Sequence, residues 1–336
     1  MDKENRKKIL LIYPHYSSFV RQDFEILSEK YFVDKYLFNI SKKPFVFVSQ
    51  FIVQFFKLLF TGWKYDFFYI WFADYHSLLP VLFSKLTFKK SIIIIGGYDA
   101  GRVRSLNYGA YNQKIRGFFA IQSIKNSTLN LGVSEYVTRK LKYIAPNANS
   151  KLLYNCISFN SGQSSSPKDK SVITVALVNS ERTLYIKGID TFIETARILR
   201  DVNFIIIGIK KDFKSALLND LPGNIEIVEP VTHEDLVNFY QKASVYCQFS
   251  RIESFCLTLA EAMYFNCHPV ITNNGALPEV AGGLGEVVPR HPALIAEAIK
   301  GKLNQMEGKI YRQYVSYHYS FEIRKEKLYS ILNTLS

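Results

Sequence analysis

Short runs of branched and aromatic residues alternate with longer amphipathic stretches along the whole chain. Near-continuous apolar runs such as 92–95 (IIII) and 204–207 (FIII) suit strands buried on both faces, as in a parallel sheet. Runs of this kind fall at 9–13, 67–72, 91–95, 129–133 and 152–154. Beyond them they recur at 172–177, 204–207, 225–228, 245–248, 268–271 and 285–288. Helical periodicity fills the intervals, so the pattern predicts an α/β fold of parallel strands and crossover helices.

Residues 158–170 read SFNSGQSSSPKDK, a linker composition with little to bury. A length of 336 residues suits two domains. The expected organisation is a domain at 1–160, a linker at 161–170 and a second domain at 171–314, with a C-terminal helix at about 315–336 packing back on the first. Each domain is expected to be doubly wound, with ligands at the carboxyl ends of its strands.

Charge changes at the same place. Residues 1–170 carry 25 Lys/Arg against 11 Asp/Glu, whereas residues 171–336 carry 17 against 18. The net charge of +13 therefore belongs to the first half, which should face something anionic. The four cysteines form no CxxC pair, which argues against a disulfide scaffold or a zinc site and for reduced thiols in the cytoplasm. The N-terminus lacks a signal-peptide pattern.

The longest apolar run, 45–60, would span ~24 Å as a helix, short of the ~30 Å hydrocarbon core, so no transmembrane helix is expected. Its polar residues Gln50, Gln54 and Lys57, with Thr61 just beyond, recur at helical spacing as one narrow stripe. An interfacial helix normally has a broader polar face, so a buried packing helix is the plainer expectation. Peripheral contact with the inner face of the cell membrane is the alternative, favoured by the basic first half.

The richest chemistry lies in 250–280, SRIESFCLTLAEAMYFNCHPVITNNGALPEV. Glu253 falls in a loop before a helix, and Glu261 more than a turn into it. The N–H groups of Ser254, Phe255, Cys256 and Leu257 would open that helix and offer a phosphate a partly positive seat. Carboxylates on either side could accept hydrogen bonds from sugar hydroxyls. Spacing alone leaves two solvated glutamates as the plainer reading.

This stretch resembles family 4 of the retaining glycosyltransferases, of the glycosyl transferases group 1 and the GT-B fold. The resemblance rests on Glu253-x7-Glu261, then Pro269-Val270, then Gly275-Ala-Leu-Pro-Glu279. It implies two Rossmann-like domains facing across a cleft, with the donor sugar on Glu253 and the ribose on Glu261. It further implies that Lys187, in a Lys-Gly pair before a helix, and Arg182, in the preceding loop, meet the donor diphosphate. Such fixed cations would stabilise the charge that builds on a departing diphosphate. Val231 and His233 stand where the family flanks the nucleotide base, His233 as a helix-start residue rather than a catalyst.

The first half matches in outline. Tyr16 and Ser17 occupy the place of a Gly-rich loop, and Arg21, at the start of the next helix, could meet an anionic acceptor. Gly96 and Gly97 follow a buried strand where many relatives carry a histidine near the reacting sugar. Asp99 is the expected substitute, with a turn-capping role as the alternative, and His76 is a second option. Asn155, in Tyr154-Asn155-Cys156, resembles a cleft-lining position. Two departures stand out: Ser254-Phe255-Cys256 replaces a Gly-Phe-Gly, and Asn266 replaces a glycine before the Pro-Val strand. Asn266 tolerates the left-handed backbone that the glycine would adopt.

The resemblance implies transfer of a sugar from a nucleotide-diphospho-sugar, UDP- favoured over GDP-, to a glycan or lipid-linked acceptor with retained configuration. No metal or other cofactor is expected, since the sequence has no Asp-x-Asp motif, and no nucleic-acid motif is seen. The alternatives are another sugar-nucleotide enzyme, such as an epimerase, or a non-catalytic basic membrane-binding protein.

Overall fold

The computed structural model describes residues 6–40, 43–158, 168–213, 215–303 and 309–335. Two units emerge, Met1–Asn155 with Arg324–Ser336, and Cys156–Ile323. The 158–170 linker expectation falls mostly on residues outside those described, and a strand already begins at Asp169.

In the first unit the strands are β1 (Lys8–Tyr13), β2 (Phe32–Leu37), β3 (Phe67–Trp71), β4 (Lys90–Ile95), β5 (Leu129–Gly132) and β6 (Ser150–Leu152). They form one parallel sheet in the order β2-β1-β3-β4-β5-β6. Its helices are α1 (Ser18–Lys30), α2 (Pro44–Thr61), α3 (Leu78–Leu86), α4 (Lys114–Asn126) and α5 (Glu135–Ile144). The sequence pattern missed β2. Its FVDKYL is mostly half-exposed at the sheet edge, so it has no apolar run to betray it.

The second unit holds β7 (Asp169–Val178), α6 (Glu181–Lys187), α7 (Ile189–Ile198), β8 (Asn203–Ile209), β9 (Ile225–Val228), α8 (His233–Lys242) and β10 (Ala243–Gln248). It continues through α9 (Leu257–Tyr264), β11 (His268–Thr272), α10 (Leu277–Ala281), β12 (Glu286–Val288), α11 (Pro292–Lys302) and α12 (Lys309–Tyr319). Its parallel sheet runs β12-β11-β10-β7-β8-β9. Val172, Phe204, Ile206, Val245 and Val270 pack with Phe192 of α7 and Ile295 of α11 into one fully buried core.

Each sheet has one place where neighbouring strands lead the chain in opposite directions: between β1 and β3, and between β7 and β10. Crossovers leave such a pair on opposite faces, which opens a crevice at the carboxyl ends. In the second unit the loops after β7 and β10 bring Lys187 and Glu253 to that crevice. In the first unit the loops after β1 and β3 bring Tyr16, Ser17 and Phe72.

The expected 315–336 helix is two helices, α12 and α13 (Phe321–Leu335), which break at Ser320. From Arg324 onward α13 belongs to the first unit. There Arg324 makes a buried double contact with Asp23 (Nε–Oδ1 2.7 Å, Nη2–Oδ2 2.9 Å), and Tyr69 donates to the same carboxylate at 2.8 Å.

Helix α2 corrects the expectation of a buried packing helix. Only 17% of the window Phe45–Lys64 is buried, and its mean hydropathy of 1.6 makes it long and apolar enough to cross a membrane by length and composition. The narrow polar stripe faces inward at Gln54, which is 1% exposed and donates to the His76 carbonyl at 2.9 Å.

Candidate functional site

The segment after β7 differs from the loop expected there. It is largely the short helix α6, whose Ser180 cap accepts from Thr183 N–H at 3.2 Å. Arg182 is therefore an exposed residue of the first helical turn rather than a loop residue. Gly188 ends α6 and opens α7 at φ 73°, where a Cβ would lie 2.1 Å from the Phe249 carbonyl oxygen. Only glycine allows that approach, which sets Lys187 beside the loop after β10.

Lys187 Nζ is hydrogen-bonded to Glu253 Oε1. Glu253 is 9% exposed, and its Oε1 also accepts from Ser250 Oγ at 3.2 Å. Behind it runs a buried chain: Gln248 Nε2 donates to Ser250 Oγ (2.7 Å), Tyr246 OH donates to Gln248 Oε1 (2.5 Å), and Tyr246 OH meets Thr258 Oγ1 (2.7 Å). The Gly-x-x-Pro-Glu turn supports the same residue from the other side. Ala276 N–H donates to the Glu253 carbonyl at 3.0 Å, and Gly275 takes φ 65° against it.

Glu261 lies on α9 and is 8% exposed. His233 Nε2 approaches its Oε1 at 3.1 Å, and Tyr240 OH donates to its Oε2 at 3.1 Å. His233 is the first residue of α8, after the Thr232 cap, so the helix-start reading describes its place. Val231 precedes that cap, half-buried. The two glutamates thus flank the start of α9, whose first N–H groups have no acceptor within the helix.

Ser254 is half-buried, as is Leu257 at the first position of α9. Phe255 and Cys256 bury their side chains, so it is their backbone that the sequence reading sets at the start of α9. Phe255 packs edge-on against Tyr319 with centroids 5.2 Å apart. Burial pushes the Cys256 thiol up to about 12. Cys256 takes φ 78° and Asn266 φ 62°, both left-handed at non-glycine positions. Such geometry in a cysteine is held only where its surroundings enforce it, and here it turns the chain into α9.

Pairing across long sequence separations hid other residues. Arg251 grips Asp190 (2.9 and 2.6 Å) and lies over the Tyr185 ring at 3.3 Å, while its N–H donates to the Ile186 carbonyl at 2.8 Å. It ties the loop after β10 to the α6–α7 joint that carries Lys187. Its partners lie 61 to 66 residues away, and no local pattern marks them. Tyr240, 21 residues from Glu261, escapes notice for the same reason, whereas Tyr246, Gln248 and Ser250 are near neighbours whose bonds link alternate positions of one buried stretch and carry no motif.

In the first unit the Asp99 carboxylate is taken up by backbone N–H groups. It is 2% exposed and accepts from the backbone N–H groups of Ala73 (3.0 Å), Gly97 (2.7 Å) and Gly96 (3.3 Å). It clasps the ends of β3 and β4 together, through N–H groups that precede it rather than by capping the turn that follows. His76 is fully buried, its Nε2 2.8 Å from the Trp71 carbonyl, and burial lowers its pKa. Gly97 takes φ 106°, and Phe72 beside it takes φ 71°.

Tyr16 is 44% exposed, with Lys35 Nζ 3.3 Å from its hydroxyl. Ser17 caps α1 without a side-chain bond. Arg21 lies four residues beyond Ser17 rather than at the helix start, and it pairs with Glu25 at 3.7 Å. Asn155 is 8% exposed, its Oδ1 buried without a hydrogen-bond partner. Unpredicted is Arg116, whose fork holds Asp74 (Nε–Oδ1 2.9 Å) and whose Nη1 reaches Tyr98 OH at 3.2 Å.

Among the described residues, no three or more His, Cys, Asp or Glu side chains are grouped to hold a metal ion. The four cysteines are buried.

Residues 162–318 match the family model described as glycosyl transferases group 1. No curated protein matches the chain by sequence. Among solved structures, it resembles sucrose-phosphate synthase of Thermosynechococcus elongatus (TM-score 0.79, 15% identity, 98% of this chain and 99% of that one). It also resembles HepE of Anabaena in complex with UDP and glucose (TM-score 0.75, 13% identity, 98% and 100%). A third likeness is to the lipopolysaccharide outer core galactosyltransferase WaaB (TM-score 0.68, 14% identity, 97% and 99%). Identities this low speak for the fold alone, and they agree with the two six-stranded parallel sheets. Residues 162–318 are thus similar to the glycosyl transferases group 1, on a chain whose fold is GT-B.

Proposed function

We propose that the protein is a retaining glycosyltransferase that takes a sugar from a nucleotide-diphospho-sugar, UDP- before GDP-, and passes it to a glycan or lipid-linked acceptor. The observation that carries this reading is the pair of nearly buried carboxylates, Glu253 and Glu261, flanking the start of α9, with Lys187 bound to the first. Buried acceptor oxygens beside a helix N-terminus suit a ligand that combines hydroxyls with a diphosphate. The UDP and glucose bound to the HepE neighbour support uridine as the base.

In this reading the diphosphate lies against the N–H groups at the start of α9, with Lys187 beside it. Glu253 accepts from the sugar hydroxyls, and Glu261, steadied by Tyr240 and His233, accepts from the ribose. Lys187 and Arg182 meet the charge that grows on the leaving diphosphate, so the transfer needs no metal. The acceptor hydroxyl attacks the same face of the sugar that the diphosphate leaves, and its proton passes to the departing phosphate oxygen. Configuration is thereby retained. The first unit, with its basic charge, receives the acceptor.

Calorimetry with UDP, GDP, ADP and their common sugars tests the donor site. Wild type should bind one nucleotide series, and Glu261→Gln should weaken it about tenfold or more, by removing a charge-assisted bond. Absence of binding by wild type, or equal binding by the variant, would sink the donor assignment. Product of inverted configuration, seen by NMR, would sink retention.

A further inference from the structure

Helix α2 is packed opposite to a helix of a water-soluble surface. Gln54, near its middle, is buried against the His76 carbonyl, while apolar side chains stand in solvent. Phe45 is 86% exposed, Phe60 75%, Trp63 just beyond the helix 59%, and Ile52, Phe55 and Phe56 about half. Surfaces of this size and apolarity on one element mark a binding face.

The neighbouring helices extend it. Phe51 of α2 contacts Phe119 of α4 (centroids 5.7 Å), and Ser77 before α3 bonds Ser123 of α4 at 2.7 Å. Leu86 and Phe88 at the end of α3, and Ile115 and Phe118 on α4, are 55–92% exposed.

Charge selects the occupant. Residues 43–126 hold eleven Lys/Arg and three Asp/Glu, and two of those acids, Asp74 and Asp99, are buried. Two copies of this surface would repel each other, whereas an anionic lipid surface attracts it. Nor does α2 need to cross a bilayer. It is the crossover between β2 and β3 of one sheet, and Phe51, Gln54 and Leu58 hold its inner face to that unit.

We infer that the first unit seats itself on an anionic bilayer through α2, which lies in the plane of the interface with its phenylalanines among the acyl chains. Trp63 sits at headgroup level and the surrounding lysines meet the phosphates. The inference is independent of the donor reading, since it rests on α2 of the first unit and the donor reading on Glu253 and Glu261 of the second.

The test is co-sedimentation of the full chain with vesicles of phosphatidylcholine alone, or mixed equally with phosphatidylglycerol. Binding is expected to the mixed vesicles, and to weaken as salt rises. Of the two tryptophans, Trp63 is exposed and Trp71 is 1% exposed, so brominated acyl chains should quench Trp63 selectively, and W63F should lose the vesicle-induced change. The double variant Phe56→Glu/Phe60→Glu, folded by circular dichroism, should partition about tenfold more weakly or worse. It should keep wild-type nucleotide affinity, which separates this idea from the donor assignment. The proposal is overturned if wild type ignores the mixed vesicles, if the folded double variant binds them equally, or if Trp63 is not quenched. A concentration-dependent dimer dissolved by the double variant, without vesicle binding, would give the face to a second copy and also overturn it.

Discussion

Glu253 owes its position to residues that have no charge of their own. A Cβ on Gly275 would lie 2.0 Å from the Glu253 carbonyl oxygen, at a φ of 65° that side chains disfavour. Gly275→Ala should therefore cost at least about 1–2 kcal/mol in backbone strain and displace Glu253. The expected result is a lower melting temperature together with weaker nucleotide-sugar affinity by calorimetry. Unchanged affinity would show that the turn does not position the carboxylate. Behind Glu253, the Tyr246–Gln248–Ser250 chain fills a core with polar groups that are each satisfied, which fixes one rotamer of the carboxylate rather than several.

At the scale of the element, α13 and α2 show how packing overrides composition. The Arg324 side chain on α13 is 2% exposed, and its fork closes on Asp23, whose side chain is fully buried. Removing one partner strands a buried charge, so Arg324→Met should destabilise the first unit by about 3–5 kcal/mol. Urea unfolding of the wild type and variant measures this, and a loss under about 1 kcal/mol would mean that water replaces the arginine. For α2, the amphipathic pattern was visible in the sequence, but its orientation was not. A narrow polar stripe on an apolar helix reads as a surface stripe until Gln54 is seen bonded to His76. Likewise α6 was read as a loop, because ERTLYIK is too short for its helical period to show.

At the scale of the molecule, the two units carry buried groups that titrate in opposite senses. Burial pushes the Asp99 carboxyl in the first unit up to about 6, against the pull of the Ala73, Gly97 and Gly96 N–H groups. Burial, helped by Lys302, pushes His268 in the second unit down to about 4. Between the ordinary aspartate value of about 3.9 and about 6, the folded state holds the Asp99 proton more tightly, so this contribution falls as pH rises. Between about 4 and the ordinary histidine value of about 6.5, the unfolded state holds the His268 proton more tightly, so this contribution rises with pH. The two should largely offset each other from pH ~4 to ~6. Asp99→Asn should steepen the loss of stability on acidification by up to about 1.4 kcal/mol per pH unit, and His268→Gln should flatten it. Urea titrations across that window check both, and parallel profiles for all three proteins would refute the assignment.

The amino-acid sequence by itself determined the parallel α/β class, ten of the strands closely and an eleventh, β6, displaced by two residues. It also determined the unequal charge of the two halves and the Glu-x7-Glu and Gly-x-x-Pro-Glu elements. These are local or additive properties, written in runs, spacings and counts. Tertiary structure decided what depends on partners far apart in the chain. It placed Lys187 on Glu253, 66 residues away, and Arg251 on Asp190, 61 away. It turned Asp99 from a candidate catalyst into a clasp by bringing the Ala73 N–H group to it, and it turned the apolar face of α2 outward. An ionisable side chain bonds to whatever the fold sets beside it, and a helix buries whichever stripe its sheet and neighbours can accept.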